Sequence, residues 1–288
     1  MSQIENLDKA SKVERAFVYV VYGDDIYYKE AAYSILTLRL STPEIPILVL
    51  VERTGDFENI QGVTPILMSE KTRQDWLQGT SYHFELKLRG VKHILENYAK
   101  KLIFIDSDTI IERNLVHLFD DIDKAQLLMH KKEGRLGEKK FYRHYKKAIG
   151  KQFEVSKEGL IKVTKASPMY NSGVIGVSEE SVDLIEKALL LMRQINRLTH
   201  WHTAEQLAVG IVLDLNGTIK NVGNANIYHY WHKKPKKYIR EKLNAFFLEY
   251  TPHNALHLPE SVKKIRKHRP FVRWLSDKLG RTMPVTES

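Results

Sequence analysis

The apolar run Leu102-Ile103-Phe104-Ile105 stops at Asp106-Ser107-Asp108, and a second apolar stretch, Thr109-Ile110-Ile111, follows it. A continuous run of this kind, bounded by Lys101 and Asp106, predicts a strand buried on both faces. The two acids then stand at its carboxyl end, where open α/β sheets bind ligands. Carboxylates so close repel each other unless positive charge lies between them. A divalent cation meets that need, because hard cations take oxygen ligands and share them with substrate phosphates.

The surrounding chain alternates between strand and helix signals. Residues 16–22 (AFVYVVY) read as a buried strand, Gly23-Asp24-Asp25 as a turn, and Tyr28 to Leu40 as a helix. Pro46 to Val51 predicts a second strand and Ile66 to Met68 a short third one. Phe84 to Asn97 predicts a helix leading into the strand before Asp106. This βαβ order predicts a mostly parallel sheet with right-handed crossovers. Residues 130–147 carry eight Lys and Arg with no clean period. They read as the start of an insertion or acceptor-contacting loop spanning 130–165, or as a solvated loop. Met169 to Val177 returns to strand character, Ser181 to Arg193 reads as a Ser-capped helix, and Thr203 to Leu213 as another.

Charge and composition narrow the class. Of the net charge of +10, residues 230–288 hold 14 Lys and Arg against 5 Asp and Glu, while residues 1–229 hold 31 against 30. A near-neutral body argues against a nucleic-acid partner, and the basic end argues for an anionic surface. Phe271, Trp274, Leu275 and Leu279 fall on one helical face among Lys and Arg, the pattern of an interfacial helix on anionic lipid. The alternative is a terminal helix packed on the body. The chain has no Cys, which excludes thiolate sites and a Cys nucleophile. The first fifteen residues form a polar extension without a signal-like apolar region. The expected location is the cytoplasm, peripheral on the inner face of the membrane.

Three further stretches join the acid pair in a resemblance. Val21-Tyr22-Gly23-Asp24-Asp25-Ile26-Tyr27, Tyr170-Asn171-Ser172-Gly173-Val174, and Ile227-Tyr228-His229-Tyr230 with Lys233-Lys234-Pro235 stand in order along the chain. With Asn114-Leu115-Val116-His117-Leu118-Phe119 after the acids, residues 16–240 resemble the GT-A glycosyltransferases. Within these the resemblance is to the glycogenin-like and lipopolysaccharide galactosyltransferase-like (family 8) branch. It implies a GT-A, Rossmann-like catalytic domain over 16–250, with 251–288 a basic amphipathic tail.

The resemblance also implies roles. Asp106 and Asp108 would bind Mn²⁺ or Mg²⁺ in a DxD motif, with His229 as third ligand and His232 as its competitor. A histidine beside carboxylates suits Mn²⁺ somewhat better. The metal, with Ser107 beside it, would hold the diphosphate of a UDP-sugar donor. Lys234, with Lys233 as a further candidate, would reach the phosphates, or both would simply belong to the basic tail. Lys87 would lie near the diphosphate or the acids, or on a solvated helix face. Tyr22, Asp24 and Tyr27 would receive the nucleotide, with Tyr27 stacking on the base or merely packing. Asn171 would line the sugar or acceptor side, or serve as a turn residue. Glu205 would bind sugar hydroxyls, with Gln206 on the face opposite the leaving group. The branch is retaining, by a front-face route or a covalent intermediate on Glu205. The acceptor would be a cell-envelope glycan, lipopolysaccharide or similar and possibly lipid-linked. The competing reading is a pseudoenzyme that binds donor and metal without turnover.

Overall fold

The computed structural model describes residues 12–157, 159–257, 259–262 and 265. In chain order its elements are β1 (Val13–Val21), α1 (Asp25–Ser41), β2 (Ile47–Val51), β3 (Val63–Leu67), α2 (Glu70–Leu77), α3 (Glu85–Asn97), β4 (Ala99–Ile105), β5 (Thr109–Ile111), α4 (His117–Asp123) and β6 (Leu127–Arg135). There follow α5 (Lys139–Tyr145), β7 (Gln152–Ser156), β8 (Gly159–Lys162), β9 (Pro168–Ser178), α6 (Val182–Thr199), α7 (Ala204–Asn216), β10 (Ile219–Asn221), β11 (Ile227–His229), α8 (Lys233–Glu249), α9 (Pro252–Leu256) and α10 (Pro259–Val262).

Seven strands form one sheet in the order β10-β6-β9-β4-β1-β2-β3. All neighbours are parallel except β9, which runs antiparallel to both β4 and β6. β4 is central and carries Leu102 to Ile105 fully buried, as an apolar run between two layers requires. One face packs on α3, α6 and α7 and the other on α1 and α4. The fold is thus the mixed α/β class expected, with a mostly parallel sheet.

Several boundaries differ from expectation. β1 begins at Val13, inside the stretch expected as an extension, because Val13 and Arg15 pair in register with Ala99 and Lys101. The 130–165 insertion is not a free loop. Lys131 to Arg135 continue β6 and pair with β9, α5 follows, and β7 and β8 close a separate hairpin. Ser181 precedes α6 without a side-chain capping bond, and the helix runs to Thr199. The third strand lies at Val63–Leu67, earlier than the 66–68 expected. The basic tail is not wholly separate either. Ala255, Val262 and Ile265 bury against Tyr33 and Leu36 of α1. The expected interfacial face at Phe271, Trp274, Leu275 and Leu279 lies outside the described residues. Among the described residues no helix is long and apolar enough to cross a membrane.

Candidate active site

The acid pair sits where β4 ends. The Asp106 N–H donates to the Gly173 carbonyl of β9 (2.9 Å). Thr109 Oγ1 donates to the Asp106 carbonyl (2.8 Å) and lies 2.6 Å from Ser34 Oγ, which lies 2.9 Å from Tyr19 Oη. This buried hydroxyl chain fixes the turn that holds Ser107, itself half-buried. β5 then pairs antiparallel with β11, setting His229 opposite Thr109. A two-stranded pairing thus carries a histidine 121 residues away to within 3.0 Å (Nε2) of Asp108 Oδ1.

One ligand atom from each of Asp106, Asp108 and His229 lies within 4.8 Å of the others. Two carboxylates and an imidazole are a donor set for a hard or borderline divalent ion. The shell behind them is in place as well, since His229 Nδ1 lies 3.0 Å from Asn171 Oδ1. These residues could therefore hold a metal ion, with Asp106 and Asp108 as oxygen ligands and His229 as nitrogen ligand. His232, the competitor, is exposed at the start of α8 and stacks on Trp231 (3.7 Å).

Each acid also faces a lysine. Lys87 Nζ lies 3.0 Å from Asp106 Oδ1, 3.2 Å from Ser172 Oγ and 3.6 Å from Glu205 Oε2. Burial opposes its charge, but Asp106 and then Glu205 more than offset this and hold the ammonium above its usual range. Lys87 is therefore not on a solvated face; it joins the half-buried Asp106 to the buried Glu205. Lys236 Nζ lies 2.8 Å from Asp108 Oδ2. Burial alone would raise the Asp108 carboxyl, yet His229 and then Lys236 keep it far below its usual range. Lys234, expected near the phosphates, is exposed on the first turn of α8 beside an exposed Lys233. Two residues further along the helix turns its side chain inward, and Lys236 occupies that position.

The pair of half-buried Arg240 and buried Glu30 (2.9 Å for both bonds) fastens α8 to α1. The same guanidinium covers the Tyr27 ring at 5.3 Å, so Tyr27 is partly exposed with a cation on one face. Asp24 is exposed at the N-terminus of α1 and makes no side-chain capping bond. Tyr22 donates to the His83 carbonyl (3.0 Å), and burial raises its phenol, against Lys87.

The residues expected on the sugar side join the same network. Ser172 Oγ donates to Glu205 Oε2 (3.0 Å), and Glu205 Oε1 is buried without a hydrogen bond. Burial pushes the Glu205 carboxyl up to about 7, outweighing the pull of Lys87. The Glu205 N–H donates to Tyr82 Oη (2.9 Å), which fixes the start of α7. Gln206 and Asn171 are both buried and donate to Glu133. Sequence reasoning missed Glu133, Ser172, Tyr82 and Lys236. For Glu133 a signal existed, since Gly134 within a strand marks a bulge. Lys236 had none, because the register of α8 decides which lysine turns inward.

Gly173 permits this convergence, because a Cβ there would overlap the His229 ring. Gly173→Ala is expected to swing the ring away and weaken Mn²⁺ binding about tenfold or more. Titration of the protein with Mn²⁺, read as free-ion signal by electron paramagnetic resonance, checks this. An unchanged affinity would mean the ring has room to spare.

No protein-family model matches this chain, and no curated protein matches it in sequence. Solved structures do match. The galactosyltransferase LgtC, in complex with donor and acceptor sugar analogs, superposes with a TM-score of 0.54. That match has 13% identity and covers 90% of this chain and 99% of the other. The apo form of mouse xyloside xylosyltransferase 1 matches more loosely, at TM-score 0.48 and 13% identity over 74% of this chain and 86% of its own. At such identity the likeness to LgtC establishes the fold, the GT-A architecture.

Proposed function

We propose that the protein is a metal-dependent glycosyltransferase that moves a hexose from a UDP-sugar to a glycan acceptor with retention of anomeric configuration. The observation that carries this is the convergence of Asp106, Asp108 and His229 at the end of β4, with Glu205 joined to Asp106 through Lys87 and Gln206 joined to Asn171 through Glu133. A bound Mn²⁺ or Mg²⁺ would neutralise charge building on the departing diphosphate.

The chain's own residues do the rest. Lys236, and Lys87 through Asp106, add positive charge on the diphosphate side. Tyr22, Asp24 and Tyr27 receive the nucleoside, and Glu205 Oε1, with no partner of its own, accepts from a sugar hydroxyl. In the transfer the bond from the anomeric carbon to the diphosphate oxygen breaks. The acceptor hydroxyl oxygen forms the new bond, and its proton passes to the departing phosphate. A front-face route suits a Glu205 that is buried and bonded to Ser172 better than covalent attack does. A cell-envelope, lipid-linked acceptor and a tail on anionic lipid accompany this reading on sequence grounds alone.

A screen of nucleotide sugars for hydrolysis with Mn²⁺ tests the proposal. One UDP-sugar is expected to be cleaved, with activity lost on chelation. Donor binding without turnover across the whole screen, with glycan acceptors present, would make it a binding protein instead.

A further inference from the structure

Glu133 is a carboxylate without a part in the transfer scheme above. It lies in β6 where the pairing with β9 slips: Lys132 stands opposite Tyr170 and Gly134 opposite Met169, with Glu133 the additional residue between. A bulge of this kind re-aims a side chain. Gly134 makes it possible, with φ at +147°, a backbone conformation that L side chains rarely adopt. Lys140 of α5 ties the bulge down by donating to the Glu133 carbonyl (2.7 Å).

The re-aimed carboxylate meets two amides. Its Oε1 accepts from Asn171 Nδ2 (3.3 Å) and its Oε2 from Gln206 Nε2 (3.2 Å). A carboxylate only accepts, whereas an amide has donors on one side and an acceptor on the other. Each amide must therefore turn its NH₂ toward Glu133 and its oxygen away. For Asn171, that places Oδ1 on the Gly173 N–H (3.0 Å) and beside His229 Nδ1 (3.0 Å). An oxygen there accepts the Nδ1 proton, which leaves Nε2 for Asp108 and an ion. For Gln206, the oxygen is left for the sugar side.

We propose that Glu133 is a positioning residue that orients both amides and, through Asn171, presents His229 Nε2 to the cation. This rests on the metal-dependent reading above. The test is Mn²⁺ titration of donor-free wild-type protein, Glu133→Gln, Glu133→Asp and Lys140→Met. Donor turnover and melting temperature are measured alongside.

Glutamine can donate as well as accept, so it no longer dictates how Asn171 and Gln206 face. Glu133→Gln is expected to weaken Mn²⁺ binding and lower kcat, each about tenfold, with an unchanged melting temperature. Glu133→Asp, still purely an acceptor, should lie closer to wild type. Lys140→Met, which frees the bulge from a distance, should weaken Mn²⁺ binding in the same direction. Wild-type Mn²⁺ affinity in Glu133→Gln overturns the proposal; if that variant does not fold, wild-type affinity in Lys140→Met does so. Mn²⁺ binding that depends on Glu133 in a protein without turnover supports the proposal and sinks the transferase reading. Turnover with Mn²⁺ binding indifferent to Glu133 does the reverse. A wild-type protein that binds no Mn²⁺ removes both.

Discussion

Asp108→Ala is expected to abolish measurable Mn²⁺ binding and to lower sugar transfer about a thousandfold, the several kcal/mol of charge stabilisation that a bound cation supplies. Asp108 is buried, with Oδ1 toward His229 and Oδ2 on Lys236. Its removal takes away a ligand and also leaves the Lys236 ammonium without its counter-charge, facing any incoming cation. Asp108→Asn separates the two effects of shape and charge. It keeps the outline of the side chain, so an equal loss in both variants assigns the effect to charge. Mn²⁺ titration and donor turnover provide the readings, and full activity in either variant would remove Asp108 from the site.

The second large effect is on stability. Lys87→Met is expected to cost about 3–5 kcal/mol at neutral pH, the usual result of stripping one partner from a buried ion cluster. Lys87 is the shared partner of Asp106 and Glu205, and the Glu205 carboxyl is already pushed up to about 7 with that ammonium in place. Without it the carboxyl rises further. A carboxyl raised in the folded state contributes stability that is fully present below its unfolded value, near 4.3, and lost as pH climbs toward the folded value. The deficit of Lys87→Met should therefore be small at about pH 5 and widen by about pH 8. Urea unfolding of both proteins at the two pH values measures it. A deficit that does not change with pH would mean Glu205 does not sense Lys87.

What could be read from the sequence was what is local in the chain. The run from Leu102 to Ile105 is buried because it is apolar on both faces, and its acids follow directly. The Asn171-Ser172-Gly173 stretch was legible for the same reason, as an apolar strand broken by polar residues. What depends on two elements meeting was not legible. Lys234 and Lys236 are equivalent in composition, and only the packing of α8 on α1 through Arg240 and Glu30 decides which faces Asp108. Glu133 sits in a basic, irregular segment. Gly134 marks a bulge there, but the amides that the re-aimed carboxylate meets come from β9 and α7, which only the fold brings to it. Residues 130–147 lacked a clean period because a bulged strand end and a short helix meet within them.

The partnership of Asp108 with His229 and Lys236 has a consequence in time. Those partners are 121 and 128 residues further along the chain. At ribosomal speeds of about 5–20 residues per second, roughly ten seconds pass between making the acid and making its partners. Throughout that interval the nascent chain carries Asp106 and Asp108 with Lys87 already made but without the β11–β5 pairing that brings His229 to them. A half-made copy thereby has two of the three groups that could share an ion, and gains the third only with β11.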